Sequence, residues 1–80
     1  GSSAFVYSQP FVENHLLSPS SADFPFSTYK ADYIGNCVYR VTSYVDAKNG
    51  FGVVIRKHYV AMMKYQKNKD KWDLVDLEFF

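Results

Sequence analysis

Hydrophobic and polar positions alternate most clearly between Val38 and Tyr65, where the runs VYRVTSYVDA and VVIRKHYVAMMKY flank KNGFG. An Asn-Gly pair between alternating runs is the strongest short-range hairpin signal. A two-residue Asn49-Gly50 loop would pair Val45 with Val54 and Val41 with His58, mixing polar and apolar side chains on both faces. A three-residue loop, Lys48-Asn49-Gly50, with Gly50 left-handed, pairs Val45 with Val53, Ser43 with Ile55, Val41 with Lys57 and Tyr39 with Tyr59. It gathers Tyr39, Val41, Val45, Val53, Ile55, Tyr59, Ala61, Met63 and Tyr65 on one face. Arg40, Thr42, Tyr44, Arg56, His58 and Lys64 fall on the other, with Val38, Val54, Val60 and Met62 among them. A sheet with one buried face is specified by such segregation, so the second register is expected. Lys57 on the apolar face then implies a bulge or a snorkelling stem.

The flanking segments complete an architecture. Val12 with Leu16 and Phe11 with His15 have i, i+4 spacing, and Ser8 and Pro10 suit a first turn, which predicts a helix over residues 8–17. Ser18-Pro19 restarts a short turn over Ser20-Ser21-Ala22-Asp23, and Phe24-Pro25-Phe26 reads as extended. A strand is expected from Thr28 to Ile34, punctuated by Gly35-Asn36 as a turn or bulge. A last strand, Trp72 to Phe79, follows the polar turn QKNKDK. In it Trp72 and Leu74 share one parity while Val75, Leu77 and Phe79 share the other, so either a bulge near Leu74-Val75 or two-sided burial is expected. The fold class is therefore α+β, an N-terminal helix packed on a three- or four-stranded antiparallel meander in a cystatin-like layout. Gly1-Ser2-Ser3 reads as a cloning remnant, with a single domain over residues 4–80.

Composition supports one small domain with a ring-rich core. Among eighty residues, seven Phe, seven Tyr and one Trp make 19% aromatic, and each ring buries roughly 150–250 Å². Nine Lys and Arg against eight Asp and Glu leave a net charge of +1, which supplies no global attraction for nucleic acid or an anionic membrane. Cys37 is the one cysteine, so no internal disulfide forms. With only His15 and His58 beside it, no four-ligand metal set has the right spacing, and neither a metal nor another cofactor is expected. No run of apolar residues reaches the length of a membrane span.

Each chemistry-bearing residue also has a plain structural role. Cys37 and His58, with Asp46 as a third member, are the one nucleophile-and-base set to consider. The expected register places Cys37 opposite Ala61 on the apolar face and His58 opposite Arg40 on the other, so the pair points apart. Asp76 and Glu78 lie on one strand face about 6–7 Å apart, a spacing glycosidases use, but they alternate with Val75, Leu77 and Phe79 as a solvent face does. Arg56, Lys57, Lys64, Lys67, Lys69 and Lys71, with Tyr44 and His58 nearby, offer a surface for single-stranded nucleic acid. Asp70, Asp73 and Asp76 stand beside them, and charges at strand ends also guard against edge pairing. Asn49-Gly50-Phe51-Gly52 lacks the lysine and following helix of a phosphate loop. Phe51 at its tip either packs beneath the turn or meets a partner.

HLLSPSSADFP (15–25), YRVTSYVDAKNGFGVVIRKHYVAMMKY (39–65) and WDLVDLEF (72–79) together resemble small bacterial and phage-borne accessory domains of unassigned function. Those have a helix ending in Ser-Pro-Ser, a Val-Asp-(Ala/Ser)-x-Asn-Gly-Phe-Gly turn and a closing Trp-x-Leu strand. The resemblance covers about three quarters of the chain. It implies an accessory domain rather than an enzyme, often found downstream of a signal peptide, a lipid-anchoring cysteine, a membrane segment or a zinc ribbon. The cell envelope or an extracytoplasmic location is thus what the resemblance implies, with the cytoplasm left open. Position 61, Ala here, can be Cys in that group, which would leave Cys37 without an extracytoplasmic disulfide partner. Ser18, Pro19, Asn49, Gly50, Phe51, Gly52, Arg56 and Trp72 match its pattern in structural roles.

The expected function is a non-catalytic protein- or peptide-interaction domain that uses an exposed sheet face or edge, with Arg40, Tyr44, Phe51, Arg56 and His58 as partner-binding residues. A small-ligand pocket between helix and sheet is one alternative, and a weak single-stranded nucleic-acid binder another. The long hairpin also admits a homodimer by edge pairing or strand exchange. Contact with a membrane is expected only through a segment outside these eighty residues.

Overall fold

The computed structural model describes residues 2–80, with side chains from Ser3 onward. Helix α1 runs Ser2–Glu13, a 3-10 turn Pro19–Ser21, and four strands follow: β1 Lys30–Gly35, β2 Val38–Lys48, β3 Val54–Gln66 and β4 Lys71–Phe79. The strands form one antiparallel sheet in the order β1-β2-β3-β4. Each strand therefore pairs with its neighbour in sequence, and the helix lies across one face. This is the α+β meander with an N-terminal helix that the hydrophobic pattern predicts.

The helix begins and ends about five residues earlier than its caps suggest. Ser8 is not an N-cap. It is fully buried in mid-helix, where its hydroxyl donates to the Phe5 carbonyl at 2.6 Å and lies 3.4 Å from the Tyr59 hydroxyl. A serine can satisfy itself on its own helix in this way, which allows it to face the core. Pro10 sits inside the helix rather than in its first turn. Ala4, Phe5, Ser8 and Val12 make the inward stripe and bury against Val41, Val45, Tyr59, Ala61 and Met63. Phe5 also stacks on Tyr29 at 4.0 Å between ring centroids, with the planes 1° apart.

The face assignment of the β2–β3 hairpin holds for Tyr39, Val41, Val45, Tyr59, Ala61, Met63 and Tyr65, but Val53 falls in the loop and both it and Ile55 are exposed. The register differs from the expected one. Val41 lies opposite Ala61, Ser43 opposite Tyr59, Val45 opposite Lys57 and Asp46 opposite Arg56, a slide of four residues from the expected pairing. An even slide leaves every side chain on its face, so segregation cannot distinguish the two registers. The observed one places small residues against large ones (Val41/Ala61, Ser43/Tyr59, Ala47/Ile55) and opposes Asp46 to Arg56, both favourable cross-strand arrangements. The connection is longer as a result. Asn49 closes it, with its N–H donating to the Val53 carbonyl at 2.9 Å and its Oδ1 accepting from the N–H groups of Phe51 and Val53. Gly52, at φ 77°, takes the left-handed conformation assigned in the sequence to Gly50.

Two further irregularities shape the sheet. The pairing of β3 with β4 shifts between Met62/Asp76 and Met63/Leu74, leaving Val75 as the bulge. This resolves the mixed parity of the last strand, because Trp72, Leu74, Leu77 and Phe79 all come to the helix face. Strand β1 is Lys30–Gly35 rather than 28–34, and its pairing with β2 is irregular between Tyr33 and Gly35. Asn36 and Cys37, with φ 55° and 63°, make the turn into β2, matching the doubly positive φ of a tight two-residue hairpin loop. No helix among the described residues is long and apolar enough to cross a membrane.

Candidate functional site

The outer face of the sheet carries the even-numbered residues of β2 and β3, and no element among the described residues covers it. Tyr44 and His58 are direct cross-strand partners, their rings 5.8 Å apart and tilted. Arg56 binds Asp46 through two nitrogens, Nε to Oδ1 at 2.8 Å and Nη2 to Oδ2 at 3.0 Å. Its guanidinium carbon also lies 3.9 Å from the centre of the Tyr44 ring. The hydrogen bond from Arg56 holds the Asp46 carboxyl below its ordinary range against the opposing effect of desolvation, and the same bond raises Arg56. Phe80 completes the group, 5.7 Å from the His58 ring.

The five sequence-predicted residues divide into three places. Tyr44, Arg56 and His58 form one cluster. Arg40 lies further along β2 and reaches Asp32 of β1 at 3.5 Å. Phe51 stands alone at the loop tip and is 93% exposed, so it does not pack beneath the turn.

Cys37 requires a correction. It is not a buried strand residue opposite Ala61 but a half-buried turn residue, whose carbonyl accepts the N–H of Tyr65 at 2.9 Å. Ala61, fully buried, instead faces Val41 and Leu77. Cys37 and residue 61 are therefore not cross-strand neighbours, contrary to the pairing of the expected register. Tyr65 and His58 stand seven positions apart on β3, about 23 Å at ~3.3 Å per residue. The fold thus does not bring Cys37 and His58 together.

Asp76 and Glu78 lie on the outer face opposite Met62 and Val60, and no group of three or more potential metal ligands occurs among the described residues. The basic cluster is also divided: Arg56 is paired with Asp46, and Lys71 with Asp73 at 3.6 Å.

Sequence reasoning missed a free stretch of strand edge. Strand β4 stops pairing at Phe79/Tyr59, with one further bond from the Phe80 N–H to the His58 carbonyl at 2.9 Å. Strand β3 continues four residues beyond that point, from Lys57 back to Val54. On the other side, the N–H and carbonyl of Asp46 go to Asp23, and the Lys48 N–H goes to Ser21 Oγ. Asp46 and Lys48 therefore turn their backbone groups away from β3. Their partners Arg56 and Val54 do likewise and present N–H and C=O to the open edge. Exposed apolar side chains accompany it, namely Val53, Val54 (60%) and Ile55. The alternating pattern gave the strand itself, but which length lacked a neighbour depended on the register and on the bulge in β4.

Comparison of the chain with protein-family models, with characterised proteins and with solved structures returned no match.

Proposed function

We propose that this domain is a non-catalytic interaction module that captures an extended peptide segment as an added strand on the free edge of β3. The observation that carries the reading is the unpaired run from Val54 to Lys57, which offers main-chain donors and acceptors beside exposed Val53, Val54 and Ile55. Adding a strand satisfies such groups, while alternate side chains of the incoming segment supply selectivity. Charge gives that segment a character. Lys48, Arg56 and Lys57 outnumber Asp46 on the hairpin arm, which favours carboxylates alternating with apolar residues. Tyr44 and His58 on the outer face, with Phe51 at the tip, flank the path.

Selection from a phage-displayed random peptide library tests this reading. Enriched peptides should alternate apolar and acidic residues, and their capture should fail on Val54→Pro. That change removes an outward N–H at an edge position where proline is tolerated, so the variant should retain its cooperative melt. Phe51→Ala and Arg56→Ala should weaken capture, whereas Cys37→Ala should not. The absence of enrichment, or peptides indifferent to Val54→Pro, would remove the edge from the account.

A further inference from the structure

At the opposite end of the sheet, on its helix face, the fold collects four aromatic side chains around one carboxylate. Tyr65 and Trp72 are direct cross-strand partners with rings 5.1 Å apart, and Tyr39 lies 5.5 Å from Trp72. The first turns of α1 bring Tyr7 to the same indole, 6.2 Å away and within 19° of parallel. Together with Ser3 and Asp70 they line a cleft of about 320 Å³, a size within the range of small-ligand sites. We propose that this cleft binds a quaternary or fully methylated ammonium group, with Tyr7, Tyr39, Tyr65 and Trp72 as its walls and Asp70 as its counter-charge.

Three observations lead to that ligand class. The rings stand at varied angles, 47° and 60° to the indole for Tyr65 and Tyr39. They therefore present more than one electron-rich surface to a compact cation, where a sugar would call for a single flat platform. Cations of this kind are weakly hydrated and draw on ring faces for their binding energy.

The cluster is also not closed upon itself. Phe5 and Tyr29 make full face contact at 4.0 Å, but Tyr7 is held at 6.2 Å from Trp72 and stays 55% exposed. Finally, Asp70 is the charged group lining the cleft. Its Oδ1 accepts from the Tyr65 hydroxyl at 2.6 Å, which fixes that ring, and among the described residues it makes no ion pair. Lys67 and Lys69 share its turn, and like Asp70 they are exposed to solvent; neither forms an ion pair with it.

This inference is independent of the edge reading, and Trp72, the sole tryptophan, reports on it directly. Choline chloride should change the Trp72 emission saturably, beyond the change given by equal sodium chloride. It should bind about two- to fivefold tighter than its neutral isostere 3,3-dimethylbutan-1-ol, the ratio expected of cation–π attraction at a partly exposed site. Tyr7→Ala, at an exposed helix position, should abolish the response with the fold intact. Asp70→Asn should weaken choline and leave the isostere unchanged.

A peptide carrying trimethyllysine and vesicles of phosphatidylcholine, titrated in parallel, separate the two sources of such a group by which binds tighter. Equal binding of choline and the isostere, a response no greater than that of sodium chloride, or saturation by methyl glucoside instead would overturn the proposal.

Discussion

Gly50 and Gly52 share one loop, but the backbone asks different things of them. Gly52 sits at φ 77°, a conformation that costs any residue with a Cβ, whereas Gly50 has no positive φ and open space where a Cβ would go. Gly52→Ala should therefore destabilise the domain by about 1 kcal/mol or more, while Gly50→Ala should be neutral or stabilise by up to ~1 kcal/mol. Denaturant midpoints of the two variants check this. The Asn-Gly signal marked the turn correctly, but it could not say which glycine bears the strain, because Asn49 closes the loop four residues downstream through its side chain.

Tyr59 shows the same limit for a buried group. Alternation placed it on the core face, yet nothing in the sequence paired it with Ser8, which had the look of a helix cap. Burial pushes its phenol above the ordinary tyrosine range, and bonds with Ser8 and Ser43 only partly oppose this. The sign follows from linkage: an unfolded tyrosine ionises near pH ~10 while the folded one still holds its proton. Stability is therefore full below about pH 10 and falls as pH rises from there through the folded-state value. Tyr59→Phe should cost about 0.5–1.5 kcal/mol at neutral pH and flatten that alkaline decline, as read by urea unfolding across the pH range.

Among the elements, the strands were largely legible and the helix less so. Period-two alternation told which residues of β2 and β3 face the helix, whereas mixed parity in β4 left a bulge near Leu74-Val75 and two-sided burial both open until the pairing showed the bulge at Val75. The register was not legible, since a four-residue slide keeps both faces intact and the choice falls to pair volumes and to the Asp46–Arg56 bond.

The helix ends are not legible in the sequence because Ser8 and Pro10 are strong start signals that tertiary burial overrides. Phe5 and Val12 carry α1 through them. Proline lacks the N–H that a residue at position 10 would give to Val6 and crowds the preceding turn. Pro10 is exposed, so Pro10→Ala should stabilise the domain without disturbing the core, which a rise in melting temperature would show. Phe5→Ala should cost about 3–5 kcal/mol. That is a large share of the ~4–12 kcal/mol expected for eighty residues, so loss of the cooperative thermal transition is the outcome to look for.

At the scale of the whole molecule, the domain is elongated, 43 × 22 × 19 Å, because the central hairpin runs past both of its neighbours. One end carries the open aromatic cleft around Trp72; the other is an arm with an open edge. Of the candidate site, Tyr44, Arg56 and His58 could be grouped from strand parity alone. The edge could not, because it exists only where β4 stops and β3 continues.

The central claim, that this edge takes up a partner strand, is tested most directly by amide hydrogen exchange at Val54 and Arg56. Exchange is measured on the dilute domain alone and with excess of a blocked hexapeptide of alternating valine and glutamate. Both amides should exchange rapidly in the free domain and become protected when the peptide is added. Protection already present in the free domain, or fast exchange that the peptide does not slow, would contradict it.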